Sequence, residues 1–246
     1  MNEAQEQYIT LFQEGDGRVD LQHYASGSYP QIDFWQKERE VLDYIASLQG
    51  DGRLYQERVW DLRFNGKYCI PLLEIFSRHA VSKWFVEQLN VVLEVAGLPS
   101  TTRHALTLAG FIGFWDAEGS SSNIPQLSAW QKDREILDII CEMFGGGVKR
   151  HEEQYYWYLY GDKARELTKI IMEKSHCPAK LERLRKNFEG PTYYELHAEE
   201  QRALHRQNYI EHADERKLYR ERRNAEKKLV SDYIKTHPEV AKKYGY

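Results

Sequence analysis

The sequence predicts an α/β protein of the α+β kind, built as two pseudo-symmetric αββαββα units with one antiparallel sheet each and a charged helical tail. Three observations predict it. Residues 30–45 read PQIDFWQKEREVLDYI and residues 125–140 read PQLSAWQKDREILDII; Pro30, Gln31, Trp35, Gln36, Lys37, Arg39, Glu40, Leu42, Asp43 and Ile45 recur 95 positions later. Average residue usage gives about one such coincidence in a window of this size, so the segment belongs to a duplicated unit. A second anchor lies upstream, where residues 9–17 (ITLFQEGDG) line up with residues 111–119 (FIGFWDAEG) at an offset of 102. Third, stretches of period-2 alternation follow stretches of helical apolar spacing in the same order in both halves.

Each unit opens with an apolar helix that ends acid-Gly. In residues 105–117 the apolar positions Leu106, Leu108, Ala109, Phe111, Ile112 and Phe114 surround Gly110 and Gly113. A glycine costs a helix about 1 kcal/mol relative to alanine, and close approach of a second backbone is the usual compensation, so this helix is expected to cross another at short distance. The first copy carries Leu11 and Thr10 in place of Gly113 and Ile112. Leu11 is expected to push the helices apart or to move their contact onto Gly15 and Thr10.

The change of offset from 102 to 95 puts seven extra residues of the first copy within residues 18–29. A hairpin loop is the expected place, because surface connections tolerate insertion. Val19 and Leu21 alternate with Arg18, Asp20, Gln22 and Tyr24, the pattern of a half-buried strand. Helical spacing then runs over residues 35–48 and 130–144, stopped by Gly50 and Gly145. A second hairpin is read at residues 53–56 with 59–64 and at 148–151 with 155–160. Leu62 and Phe64, like Trp157 and Leu159, face the core, which turns Asp61, Arg63, Tyr156, Tyr158 and Tyr160 to the opposite face. A last helix, over residues 70–76 and beyond and over 163–172, completes each unit. The domain boundaries read this way are 1–98 for the first unit, 99–104 for a linker, 105–189 for the second unit and 190–246 for the extension.

Composition limits the chemistry. The chain of 246 residues is 41% hydrophobic, enough for two modest cores or one composite core. It has no apolar run that spans a bilayer and no secretory start, so an intracellular protein without a membrane partner is expected. Cys69, Cys141 and Cys177 are too few and too dispersed for a disulfide framework or a zinc site and read as small hydrophobes. The formal charge of -4 argues against a uniformly basic nucleic-acid binder. Residues 190–246 hold 12 Lys+Arg against 10 Asp+Glu, the rest 22 against 28. A nucleic-acid surface must therefore be concentrated on one face.

With the acid-Gly helices, the QKxRE segment and the two hairpins in place, the chain resembles a two-motif, monomeric LAGLIDADG homing endonuclease. GFWDAEGS at residues 113–120 is close to a common form of that motif, and WQKDREILDIICEMFGGG at 130–147 is equally typical; the resemblance covers residues 8 to about 185. It implies two motif helices packed side by side between two sheets that form a saddle over the DNA major groove. It also implies that Asp16 and Glu118 bind a shared divalent metal, Mg²⁺ or Mn²⁺, the hard cation that carboxylates suit and that activates water for phosphodiester hydrolysis. A basic residue near the start of the last helix is implied too: Lys163 supplies it in the second unit, whereas the equivalent position in the first is Tyr68, with Lys67 one place away. Gln36 and Gln131, at the strand-to-helix junctions, stand where the family often orders water near the phosphate, or are simply polar residues at helix starts.

Base readout in such a saddle comes from the uncovered sheet faces. Parity nominates Asp20, Gln22, Tyr24, Asp33, Asp61 and Arg63 in the first unit, and Ser122, Gln126, Ser128, Lys149, His151, Tyr156 and Tyr158 in the second. An aspartate there either accepts from cytosine or holds a neighbouring arginine. The tail carries a locally basic stretch at Arg216, Lys217, Arg220, Arg222, Arg223, Lys227 and Lys228; it either embraces flanking DNA backbone or is a solvated helix. The reading is a metal-dependent, site-specific double-strand DNA endonuclease with a long target, housed in the organelle or cytoplasm of an intron-bearing genome. The alternatives are an intron maturase that holds intron RNA on the same saddle and a non-cleaving DNA binder.

Overall fold

The computed structural model describes residues 1–50, 52–122, 126–188 and 198–236. Met1–Thr192 form one compact unit and Tyr193–Tyr246 a second. In the first, α1 (Glu3–Asp16) leads into the hairpin β1 (Gly17–Tyr24) and β2 (Gly27–Gln36), then α2 (Arg39–Gln49), the hairpin β3 (Arg53–Gln56) and β4 (Trp60–Asn65), a 3₁₀ turn (Gly66–Cys69), α3 (Ile70–His79) and α4 (Lys83–Ala96). The order then repeats as α5 (Leu108–Glu118), β5 (Gly119–Ser122), β6 (Gln126–Gln131), α6 (Arg134–Phe144), β7 (Gly147–His151), β8 (Gln154–Tyr160), α7 (Gly161–Lys174) and α8 (Pro178–Phe188). Both sheets are antiparallel and share one strand order, β1-β2-β4-β3 and β5-β6-β8-β7.

Local sequence accounts for these elements. Asn2 and Gln5 form a reciprocal capping box at the start of α1, and the Thr107 side chain accepts from the Gly110 amide at the start of α5, satisfying amides that the helix leaves free. Helices α2 and α6 stop at Gly50 and Gly145, both at positive φ and both donating back, to the Ala46 and Cys141 carbonyls. In the first sheet Val19, Ile32, Phe34, Leu62 and Phe64 are buried against the helices; in the second Leu127, Ala129, Trp157 and Leu159 are. Burial of each large side chain contributes about 1.5–3 kcal/mol, and these alternating positions fix the register.

Several boundaries differ from the sequence reading. The seven extra residues of the first copy do not swell a loop: they lengthen the two strands, which pair from Gly17↔Phe34 to Tyr24↔Gly27 around a two-residue turn. Helices α2 and α6 begin at Arg39 and Arg134, not at Trp35 and Trp130, because β2 and β6 continue pairing to Gln36↔Trp60 and Gln131↔Tyr155. Each repeat also has one more helix than expected, α4 or α8. Residues 123–125 and the Gly-Pro step at 190–191 lie outside the described residues.

The tail contains α9 (Ala198–Glu211) and α10 (Ala213–Thr236). Helical spacing puts Arg216, Arg220, Arg223 and Lys227 on one stripe of α10, exposed except for the half-buried Arg216. Among the described residues no helix is long and apolar enough to cross a membrane.

Candidate active site and nucleic-acid interface

The motif helices α1 and α5 pack directly on each other. A β-carbon on Gly113 would lie 2.0 Å from the Tyr8 carbonyl oxygen and 3.0 Å from its Cα, so the two backbones touch. Under the pseudo-twofold, Gly113 corresponds to Leu11 and Tyr8 to Gly110. The mirrored contact is indeed Leu11 on Gly110, where a β-carbon would meet the leucine Cγ and Cδ2 at 3.1 Å. Leu11 thus does not part the helices, because the glycine opposite makes room for it. Contact does reach Gly15, whose added β-carbon would lie 2.6 Å from Ala117 Cβ. The Thr10 hydroxyl donates to the Glu6 carbonyl of its own helix, 2.8 Å.

This crossing brings the two helix ends together. Asp16 and Glu118 are half-buried; a β-carbon on Gly119 would strike both the Trp115 ring and its carbonyl oxygen, whereas one on Gly17 would meet the side-chain amide of Gln13, which would have to shift. Burial pushes the Asp16 carboxyl up to about 6. Burial, and then the neighbouring Asp16 charge, push Glu118 up to about 8. A neighbouring like charge in a desolvated site disfavours ionising both carboxyls at neutral pH.

The compensation present comes from Lys180, on the first turn of α8. Its ammonium is buried and donates to the Trp115 and Ala117 carbonyls, 2.9 and 2.7 Å, at the negative end of α5. Burial lowers its pKa, while Asp116, Asp16 and Glu118 pull it back up. Lys180 lines a cavity of about 340 Å³ with Asp16, Trp35, Gln36, Lys37, Glu38, Val59, Ala117 and Arg183. Neither expected lysine is there. Lys163 is exposed at the start of α7, and Lys67 is exposed with its ammonium 5.3 Å from the Tyr68 ring centroid. The repeat hides Lys180, because its equivalent at the 95 offset is Phe85, a core residue. Pro178, at a position that favours a helix start, was the available sign that a further helix places Lys180 in its first turn.

Each motif helix also carries an inner acid. Glu14 accepts from the Val81 and Ser82 amides, 2.6 and 3.1 Å, at the start of α4; burial raises it to about 7. Its equivalent, Asp116, accepts from the Tyr8 hydroxyl and the His176 amide, both 2.7 Å, and from the Ser175 hydroxyl. Asp116 thereby also holds α1 of the other repeat through Tyr8, while both acids tie their motif helix to the segment leading into the last helix of their own repeat. The glutamines do the opposite: Gln36 donates to the Asp116 carbonyl at 3.1 Å and Gln131 to the Glu14 carbonyl at 3.4 Å, each reaching into the other repeat. The Gln36 amide also lies 3.5 Å from the Asp16 carboxylate.

All the residues that parity nominated fall on the uncovered sheet faces. In the first sheet Asp20, Gln22, Tyr24, Asp33, Asp61 and Arg63 share that face with Arg18, Gln31, Trp35, Arg53 and Tyr55. Asp20 is engaged by Arg18 and by the Leu21 amide. Asp33 and Asp61 are buried and hold Arg63, so of the two roles weighed for them they take the second. The second sheet is aromatic instead: Trp130 stacks on Tyr156 at 4.7 Å, and Tyr156, Tyr158 and Tyr160 continue the row, with Lys149 over Tyr158 and His151 edge-on to Trp130. Ser122, Gln126 and Ser128 lie alongside. Trp35 and Trp130 escaped the sequence reading because it placed them on helices.

Two acid-ended helices crossing between twin four-stranded sheets define an architecture, and solved structures carry its name. The LAGLIDADG meganuclease I-AabMI, bound to uncleaved DNA, superposes with TM-score 0.51 at 16% identity over 77% of this chain and 99% of its own. Two lysine-to-alanine mutants of I-SmaMI superpose with TM-score 0.52, at 10% and 11% identity, over 71% of this chain and 84% and 85% of theirs. No protein-family model and no curated protein matches by sequence. The chain therefore has the two-unit saddle fold of the LAGLIDADG meganucleases.

Proposed function

We propose that the protein is a site-specific double-strand DNA endonuclease that hydrolyses phosphodiesters with a divalent cation at a long target. One observation supports the reading: the pseudo-twofold that relates the two sheets also relates Asp16 and Glu118, and both carboxyls act electrostatically on the Lys180 ammonium. The DNA-bound state of I-AabMI, which shares the fold, supports it. A ten-residue strand such as β2 runs about 33 Å, roughly one turn of duplex. Two sheets thus suit a site on the order of 20 base pairs.

The acid pair fits Mg²⁺ or Mn²⁺. Such a cation is held through one or two carboxylates and completes its shell with water and substrate phosphate; among the described residues no third His, Cys, Asp or Glu joins the pair. When bound, it supplies charge neutralisation and an acidified water. The chain does the rest. Asp16 and Glu118 would provide the donor oxygens, and holding a cation would favour their ionised forms. Lys180 places positive charge beside the site in a low-dielectric setting where it stabilises developing negative charge, and Lys37 and Arg183 extend that charge along the cavity. Gln36 and Gln131 lock the strand ends to the opposite helix, so sheet and scissile position keep one register.

The test is incubation of the purified protein with a library of long random duplexes and Mg²⁺. Cuts with short overhangs at a recurrent sequence are expected, abolished in Asp16→Asn and Glu118→Gln with binding retained. Unchanged cutting by both variants refutes the assignment of the acids, and sequence-selective binding without cutting by the native protein refutes the nuclease.

A further inference from the structure

We infer that Arg63 is a preset guanine reader that gives one half of the target, and not the other, a required G; this rests on the DNA-binding reading above. Arg63 sits on β4 in the middle of the first sheet's uncovered face, in register with Asp33 on β2 and Arg53 on β3. Its Nε donates to Asp33 Oδ1 at 2.7 Å and its Nη2 to Asp61 Oδ2. Asp33 is itself fixed, 1% exposed and accepting from the Gln31 amide at 2.7 Å. The guanidinium lies 5.3 Å from the Tyr55 ring centroid, and the side chain keeps 37% of its surface open.

A guanidinium has five N–H donors, and the two carboxylates engage it through two of its three nitrogens. The N–H groups left over belong to a side chain whose rotamer is already chosen, so its ordering is not charged against binding. Charge then decides what it reads. The charge of Arg63 is neutralised by two aspartates, and even with Arg53 beside it in register the four groups sum to no net positive charge, which leaves little attraction for a phosphate. A base edge with two neutral acceptors needs no such surplus, and guanine O6 and N7 form the pair that an arginine fork fits. The pseudo-twofold supplies an internal contrast. At the 95 offset Arg63, Asp33 and Asp61 become Tyr158, Ser128 and Tyr156, so the second sheet has no such device.

The experiment selects bound duplexes from a randomised library, with Ca²⁺ in place of Mg²⁺, for the native protein, Arg63→Lys and Asp61→Asn. The native consensus is expected to hold a G in one half with no counterpart at the pseudo-symmetric position. Arg63→Lys, which keeps the charge and loses the fork, should relax that column alone, by roughly 5- to 150-fold in affinity ratio. Asp61→Asn should broaden the same column and steepen the salt dependence by about one phosphate contact. A consensus unchanged in every column for both variants, or weakened uniformly, overturns the assignment of Arg63 while leaving the nuclease reading intact. Failure of the native protein to select any sequence overturns both. Thermal unfolding of each variant is measured alongside, and if Arg63→Lys does not fold, Asp61→Asn decides.

Discussion

Replacing Gly113 with alanine tests the helix crossing on which the acid pair depends. The new β-carbon would sit 2.0 Å from the Tyr8 carbonyl oxygen, about 1.3 Å inside the closest comfortable carbon–oxygen separation of about 3.3 Å. The obstacle is backbone within a helix, and α1 is pinned there by the Tyr8 hydroxyl on Asp116, so no side chain can swing away and the helices must part. Overpacking of this kind costs about 1–3 kcal/mol and sometimes more, against about 1 kcal/mol returned by alanine's better helix propensity. With an unyielding neighbour the upper end of that range applies and the net loss should be about 2 kcal/mol, a fall in Tm of about 4–8 °C for a chain of this size. Gly110→Ala is the matched control, because its β-carbon meets only side chains, the branched end of Leu11 at 3.1 Å and Leu106 Cδ1 at 3.4 Å. It should unfold within a few degrees of the native protein. Scanning calorimetry reads both, and cleavage should fall about 100-fold in Gly113→Ala if the acids separate by 1 Å. A Gly113→Ala protein as stable as the native one, or no less stable than Gly110→Ala, would show that the backbones are not in contact.

Other outcomes follow from the same geometry. Asp16, Glu14 and Glu118 have folded-state carboxyl pKa values raised to about 6, 7 and 8, so the folded state binds more protons than the unfolded one between their ordinary values and these. In EDTA, Tm should therefore decline as pH rises from about 5 to 9, recover on adding Mg²⁺, and decline less in Glu118→Gln; a rise with pH refutes the burial of the pair. Because Phe85 stands where Lys180 does, the two strands should be cut at unequal rates, and a supercoiled plasmid carrying the selected site should pass through a nicked circle; direct conversion to linear product argues for equivalent halves. Tyr8→Phe should destabilise by about 1–3 kcal/mol, since it removes a hydrogen bond from buried Asp116, and a neutral result in urea unfolding would count against that network.

How far the sequence could be read depended on what duplication preserves. Sheet parity was legible at every nominated position because a one-residue error would have turned Leu62 and Phe64, or Trp157 and Leu159, into solvent. Asp16 and Glu118 could be picked out as equivalent helix-end acids because they repeat. Trp35 and Trp130 were misplaced because an aromatic beside an apolar helical run satisfies both periods, and only strand pairing decides between them. Lys180 was not legible by repetition, since a residue in one copy alone leaves no echo. The fit of Leu11 into Gly110 was not legible either: complementarity between two helices is a property of their contact, not of either spacing.

That fit makes the halves unlike partners. Two first halves brought together would aim a leucine at each tyrosine carbonyl that now accepts only a hydrogen, while two second halves would face glycine with glycine and leave a leucine-sized void on both sides. Neither homotypic pairing closes as well as the covalent heterotypic one. A severed or swapped half should accordingly seek its complement from another copy rather than its own kind, and reassembly from separately expressed halves should yield the native pairing without a linker to enforce it.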